Sequence, residues 1–135
     1  MPAPLRAADA DLAAVQTFFL RLRALAESDA SRRGCLMVMT GPEVSTRERA
    51  IGRVVTAFLD VVRGLFAAAL ERAAAAGQLG TRVETAALAD YLLGALVGLM
   101  TLARSPLPRT AVMHFADEVL RQLDALVPTR PGCET

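Results

Sequence analysis

The sequence predicts an all-α fold: a single domain built as a helical bundle of about five helices. Three observations predict it. Apolar residues make up 53% of the 135-residue chain, much of that alanine and leucine, while aromatic residues supply only 4%. Those apolar positions recur at helical spacing through every long stretch. One short apolar run, residues 34–40, has strand-like length, but no second strand exists for it to pair with. A chain of this length can bury ~65–70% of its unfolded surface, enough for one core.

The first eight residues carry two prolines and are expected to fray. Asp9 or Asp11 can cap the first helix, which runs to about Glu27 with Leu12, Val15, Phe18, Phe19, Leu22, Leu25 and Ala26 along one broad stripe. Residues 28–33 are polar and read as a connection. The run Gly34-Cys35-Leu36-Met37-Val38-Met39-Thr40 follows, and a short buried helix is the better reading of it.

Ser45-Thr46-Arg47-Glu48 is a capping-box pattern, and it opens a long helix to about Ala76. Ile51, Val54, Val55, Phe58, Val61, Val62, Leu65 and Phe66 share its apolar face. Gly77 is placed to end it in the left-handed conformation. A turn over residues 78–82 leads to a fourth helix, starting between Thr81, which heads a Thr-x-x-Glu box, and Thr85. Ser105-Pro106-Leu107-Pro108 stops it. The last helix runs from about Arg109 to Val127, ended by Pro128, and residues 128–135 are expected to be a flexible tail. The connection is short, so the last two helices are expected to be antiparallel.

The stretch 88–103 sets the organisation. It carries one charge, Asp90, and is otherwise apolar or small on every side apart from Tyr91 and Thr101. Leu88, Leu92, Ala95, Leu96 and Leu99 form one stripe, while Leu93, Val97 and Met100 form a second. A helix that is apolar all round belongs inside something larger than a small monomer. The second stripe is therefore expected to meet another subunit, making the chain a homodimer. Gly94-x-x-x-Gly98 permits close helix approach beside that stripe, either across the interface or within the subunit.

Charge and cysteine usage narrow the function. All 15 basic residues are arginine, they are dispersed, and against 14 acids they leave a net charge of +1. DNA-binding domains show a concentrated basic patch, so direct nucleic-acid binding by these residues is not expected. Cys35 and Cys133 give no disulfide framework, and no signal-peptide pattern is visible, which points to a reduced, cytoplasmic setting. The uncharged run from Tyr91 to Ala103 is 13 residues, short of the ~20 that span a bilayer, so no membrane role is expected.

Catalytic readings fare poorly. His114 is the single histidine, and no His, Cys and carboxylate spacing suggests a metal site. Asp117 and Glu118 point to different sides of their helix, and Cys35 has no evident base. No catalytic residue, metal or cofactor is expected. The set Phe18, Phe19, Met37, Met39, Phe58, Phe66, Tyr91 and Met100 can line an adaptable apolar pocket or simply fill the core.

Several pieces together carry a family resemblance. Arg32-Arg33-Gly34-Cys35-Leu36 and its apolar continuation resemble a segment of TetR/AcrR-type transcriptional regulators. The pattern Phe-x-x-Ala-Leu-x-x-Ala-x-x-x-Gly-x-Leu over residues 66–79 is similar to that family's carboxy-terminal domain. So are Ala87-Leu-Ala-Asp-Tyr-Leu-Leu, Gly98-Leu99-x-x-Leu102-Ala103-Arg104 and the final amphipathic helix, in that order.

The resemblance implies an effector-binding and dimerisation domain whose last two long helices pair with their mates in a four-helix interface. A small hydrophobic or amphipathic effector would sit among the earlier helices. Helix faces nominate Phe18, Leu22, Met37, Phe58, Val62 and Tyr91 for the effector. They nominate Leu93, Gly94, Val97, Gly98, Met100, Phe115, Val119 and Leu123 for the interface. The family's amino-terminal helix-turn-helix has no counterpart before Leu12. The chain then reads as a truncated repressor or, alternatively, as a ligand-free module that dimerises with an intact regulator and blocks its DNA binding.

Overall fold

A computed structural model describes residues 3–28 and 49–128. Among them are four α-helices and no strand: α1 (Leu12–Glu27), α2 (Arg49–Ala75), α3 (Thr85–Arg104) and α4 (Arg109–Ala125). The expected helix at residues 34–40, with Cys35 and Met37, and the capping box at residues 45–48 lie outside the described residues.

Local signals start and stop these helices. Asp11 is the cap of α1, its carboxylate accepting from the Ala13 amide at 3.0 Å. Gln78 completes that end: its Oε1 accepts from the Leu12 amide at 3.3 Å and its Nε2 donates to Asp11 Oδ2 at 2.8 Å. The Gln78 hydrogen bond is the main reason the Asp11 carboxyl is held below the usual carboxylate range. Gly77, at φ +72°, ends α2. The Gln78 amide donates to the Ala73 carbonyl at 2.9 Å and the Gly77 amide to that of Ala74 at 3.1 Å, the paired bonds of a Schellman motif.

One expectation is corrected here and another is narrowed. The first residues do not run loosely to Asp9: Ala3–Arg6 form a 3-10 turn that seats Leu5 in the core at 1% exposure. Within the expected range from Thr81 to Thr85, α3 starts at its far end, Thr85. The Val83 amide bonds the Gly80 carbonyl at 3.1 Å, closing a turn that delays the helix until Thr85, and Glu84 stands at the cap without a side-chain bond.

The closest pairings are α2 with α3 and α1 with α4. Antiparallel packing of α3 on α4 follows from their contacts. Ala103 shares a cavity lining with Val112, Gly98 meets Phe115, and Leu88 and Tyr91 lie by Gln122 and Leu126. The core is continuous through all four helices. Phe18, Phe19 and Phe66 form its aromatic centre, with ring centroids 5.4 to 5.9 Å apart. Leu70, Leu92, Leu96, Leu99 and Met100 are fully buried around them. Each such side chain stabilises the fold by ~1.5–3 kcal/mol, which is why the apolar stripes override weak local signals such as the bare cap of α3.

Candidate functional site

Two regions leave apolar surface without a partner among the described residues. The first is a flank of α2. Ile51, Val54, Phe58, Val61 and Leu65 recur at spacings of three and four, beside the buried row Val55, Val62, Phe66, Ala69 and Ala73. Val54 is 59% exposed and Val61 51%, while Phe58 is partly buried at the edge of the core. The second region is the outer face of α3 and α4. Ala87, Gly94 and Thr101 follow one another at seven-residue steps on α3 and are all exposed. Tyr91 and Gly98 stand beside them.

The expected effector residues fall into three places. Phe18, Leu22 and Val62 are buried together in the core with Phe58 at its margin. Met37 lies outside the described residues. Tyr91 is on a different surface: it is 48% exposed and lines a shallow groove of about 200 Å³ with Leu88, Gln122, Leu123 and Leu126. The structure therefore does not bring Tyr91 to the other aromatic residues. Val54 and Val61 belong to the uncovered α2 flank and are missing from the nominated set. Their place on the broad apolar face was legible, but their exposure was not.

The expected interface residues also divide. Met100, Val119 and Leu123 instead fill the subunit's own core. The reason is angular: Met100 lies one turn past Leu96 and about 40° round the helix from it, so it shares the buried side. Val112, Ala116, Val119 and Leu123 likewise share an arc of about 60°. Leu93 and Val97 are partly buried against the core, on the side bearing Asp90. That side meets α2, because Arg63 forms an ion pair with Asp90, Nη2 donating to Oδ2 at 3.2 Å.

Gly94, Gly98 and Phe115 are left for the outer face. A Cβ on Gly94 would meet nothing within 4 Å, whereas one on Gly98 would lie 3.4 Å from the Phe115 ring. Close packing within the subunit thus accounts for Gly98 and not for Gly94.

Electrostatics tie the helices without creating a reactive centre. Arg23 Nε donates to Asp117 Oδ1 at 2.5 Å, joining α1 to α4, and Gln16 Nε2 donates to Asp124 Oδ1 at 2.9 Å. Hydrogen bonding to Arg23 lowers the Asp117 carboxyl, and hydrogen bonding to Arg63 lowers that of Asp90. Gln122 and Arg121 both engage Glu118 beside the outer face. Among the described residues, no group of three or more His, Cys, Asp or Glu is placed to hold a metal ion.

α3 is the one helix among the described residues that is long and apolar enough to cross a membrane by length and composition. Its contacts with α1, α2 and α4 show that it is a packed helix, and 33% of its apolar window is buried within the subunit. A family profile described as "Tetracyclin repressor-like, C-terminal domain" matches residues 12–119. No curated protein and no solved structure matches.

Proposed function

The chain belongs to the tetracyclin repressor-like, C-terminal domain family, and from that premise we propose that it is the effector-binding and dimerising part of a transcriptional regulator. The observation that carries this reading is the outer face of α3. A helix so apolar would be expected at the centre of its subunit, yet one face of it, with Ala87, Tyr91, Gly94 and Thr101, is exposed, and Gly94 is open to a neighbour. A second copy of the chain, laid against α3 and α4, buries Tyr91, Gly94, Thr101 and Phe115 and gives a four-helix interface. Gly94 then serves close approach between subunits, where a missing side chain lets backbones come near.

The effector is a small hydrophobic or amphipathic molecule, held where Phe58 and the Val54 and Val61 flank border the core at Val62 and Phe18. The lining is apolar, so it selects by size and polarity, with few directional contacts. A ligand acts on the dimer only to the extent that it binds one arrangement better than another. The domain works in the cytoplasm, needs no cofactor, and makes no direct contact with DNA through these residues, in keeping with a net charge of +1. A thermal-shift screen of apolar compounds tests the pocket. Binding at a hundred times Kd raises stability by about 2.7 kcal/mol, and a broad panel without any shift would count against an effector site.

A further inference from the structure

Arg109 breaks a local rule. It is the first residue of α4, where the positive end of the helix dipole disfavours a cation. The same side chain supplies what another helix lacks. α1 has no basic residue in its last turn, so its terminal carbonyls face no counter-charge from their own sequence. Arg109 Nη1 sits among three of them, donating to the Ala26 carbonyl at 3.0 Å, to that of Ser28 at 3.3 Å, and to that of Glu27 between them.

This contact is the top of a seam. Below it Arg23 pairs with Asp117, and Gln16 bonds Asp124. At its start α1 is held by Gln78 and by Arg72, whose Nε donates to the Ala10 carbonyl at 2.6 Å. Along its length, the polar ties of α1 among the described residues go to α4, while its contact with α2 runs through the Phe18, Phe19 and Phe66 rings. α1 borders the proposed effector region and α4 carries part of the proposed interface. Arg109 lies about 120° round α4 from Phe115, so it does not itself reach the outer face.

We propose that Arg109 is a positioning residue that couples the end of α1 to the dimer-forming pair α3 and α4, so that a displacement of α1 changes how strongly two copies associate. The inference rests on the self-association proposed for that outer face.

The test uses the full 135-residue chain, unmutated and as Arg109→Gln and Arg109→Lys. Sedimentation equilibrium gives the dimer dissociation constant, and mass-spectrometric amide exchange reports on residues 24–28. The unmutated chain is expected to dimerise. Arg109→Gln is expected to speed exchange at residues 24–28 and to raise the dissociation constant at least about fivefold, the lower end of coupling between linked sites. Arg109→Lys keeps a cation that can sit among the same carbonyls and is expected to fall between.

Faster exchange with a dissociation constant within about twofold of the unmutated value would reduce Arg109 to a local cap and overturn the proposal. Unchanged exchange would overturn it as well. A monomeric unmutated chain would defeat the self-association reading itself, before any variant is compared. Should Arg109→Gln fail to fold, Arg109→Lys decides through the same two readouts, and faster exchange at residues 24–28 with an unchanged dissociation constant is again the contrary result.

Discussion

Replacing Gly94 by alanine separates the subunit from the dimer, because the two respond with opposite signs. Within the subunit the position is an ordinary helical one: the only positive-φ residue among those described is Gly77, and a Cβ at Gly94 would meet nothing within 4 Å. Alanine there gains helix propensity of about 0.8–1.0 kcal/mol without a clash. At a helix crossing between two copies the added methyl overpacks the contact, at a cost of about 1 kcal/mol or more on each side. Two copies give about 2 kcal/mol, close to a thirtyfold rise in dissociation constant. Sedimentation equilibrium reads the association, and urea unfolding over a range of protein concentrations reads the subunit. The expected outcome is a weaker dimer made of more stable subunits. An unchanged dissociation constant alongside the gain in subunit stability would show that Gly94 faces only solvent.

Other consequences follow from single residues. Phe66→Ala removes a fully buried ring that is stacked on Phe19 and edge-on to Phe18, and urea unfolding should show a loss of about 3–5 kcal/mol. Gly77→Ala forces a side chain into the left-handed region at φ +72° and should cost about 1 kcal/mol, read as a lower urea midpoint with an unchanged slope. Asp90 and Asp117 have carboxyls lowered by their arginine partners, so the stability they contribute is complete above the unfolded value of about 3.9 and is lost as pH falls through the lower folded values. The urea midpoint should therefore drop below about pH 4, and the Asp90→Asn, Asp117→Asn double variant should show a shallower drop.

The helix ends that were legible carry strong local signals: Asp11 at a cap, Gly77 at a terminus, Pro106 and Pro108 at a break. Those signals act within a few residues. Gln78 and Arg109 were not legible, because each acts on a helix end more than sixty residues away in the chain. The helix wheel alone does not separate Met100, Val119 and Leu123, which are buried in the subunit, from the residues on its outer face. A wheel shows which side chains share an arc, but the boundary between buried and open arcs depends on how many neighbours surround the helix. α3 has three, so its buried arc reaches Met100 and stops short of Gly94. Tyr91 looked like a pocket residue by composition. Only the position of α4 beside it, with Gln122 and Leu126, reveals a groove on the outer face.

In the proposed dimer a second copy covers the outer face of α3 and α4. Sedimentation equilibrium of the unmutated chain across a dilution series tests it most directly. The expected mass is twice the 14.3 kDa of one chain, shifting toward 14.3 kDa only on dilution. A mass of 14.3 kDa at every concentration would contradict it.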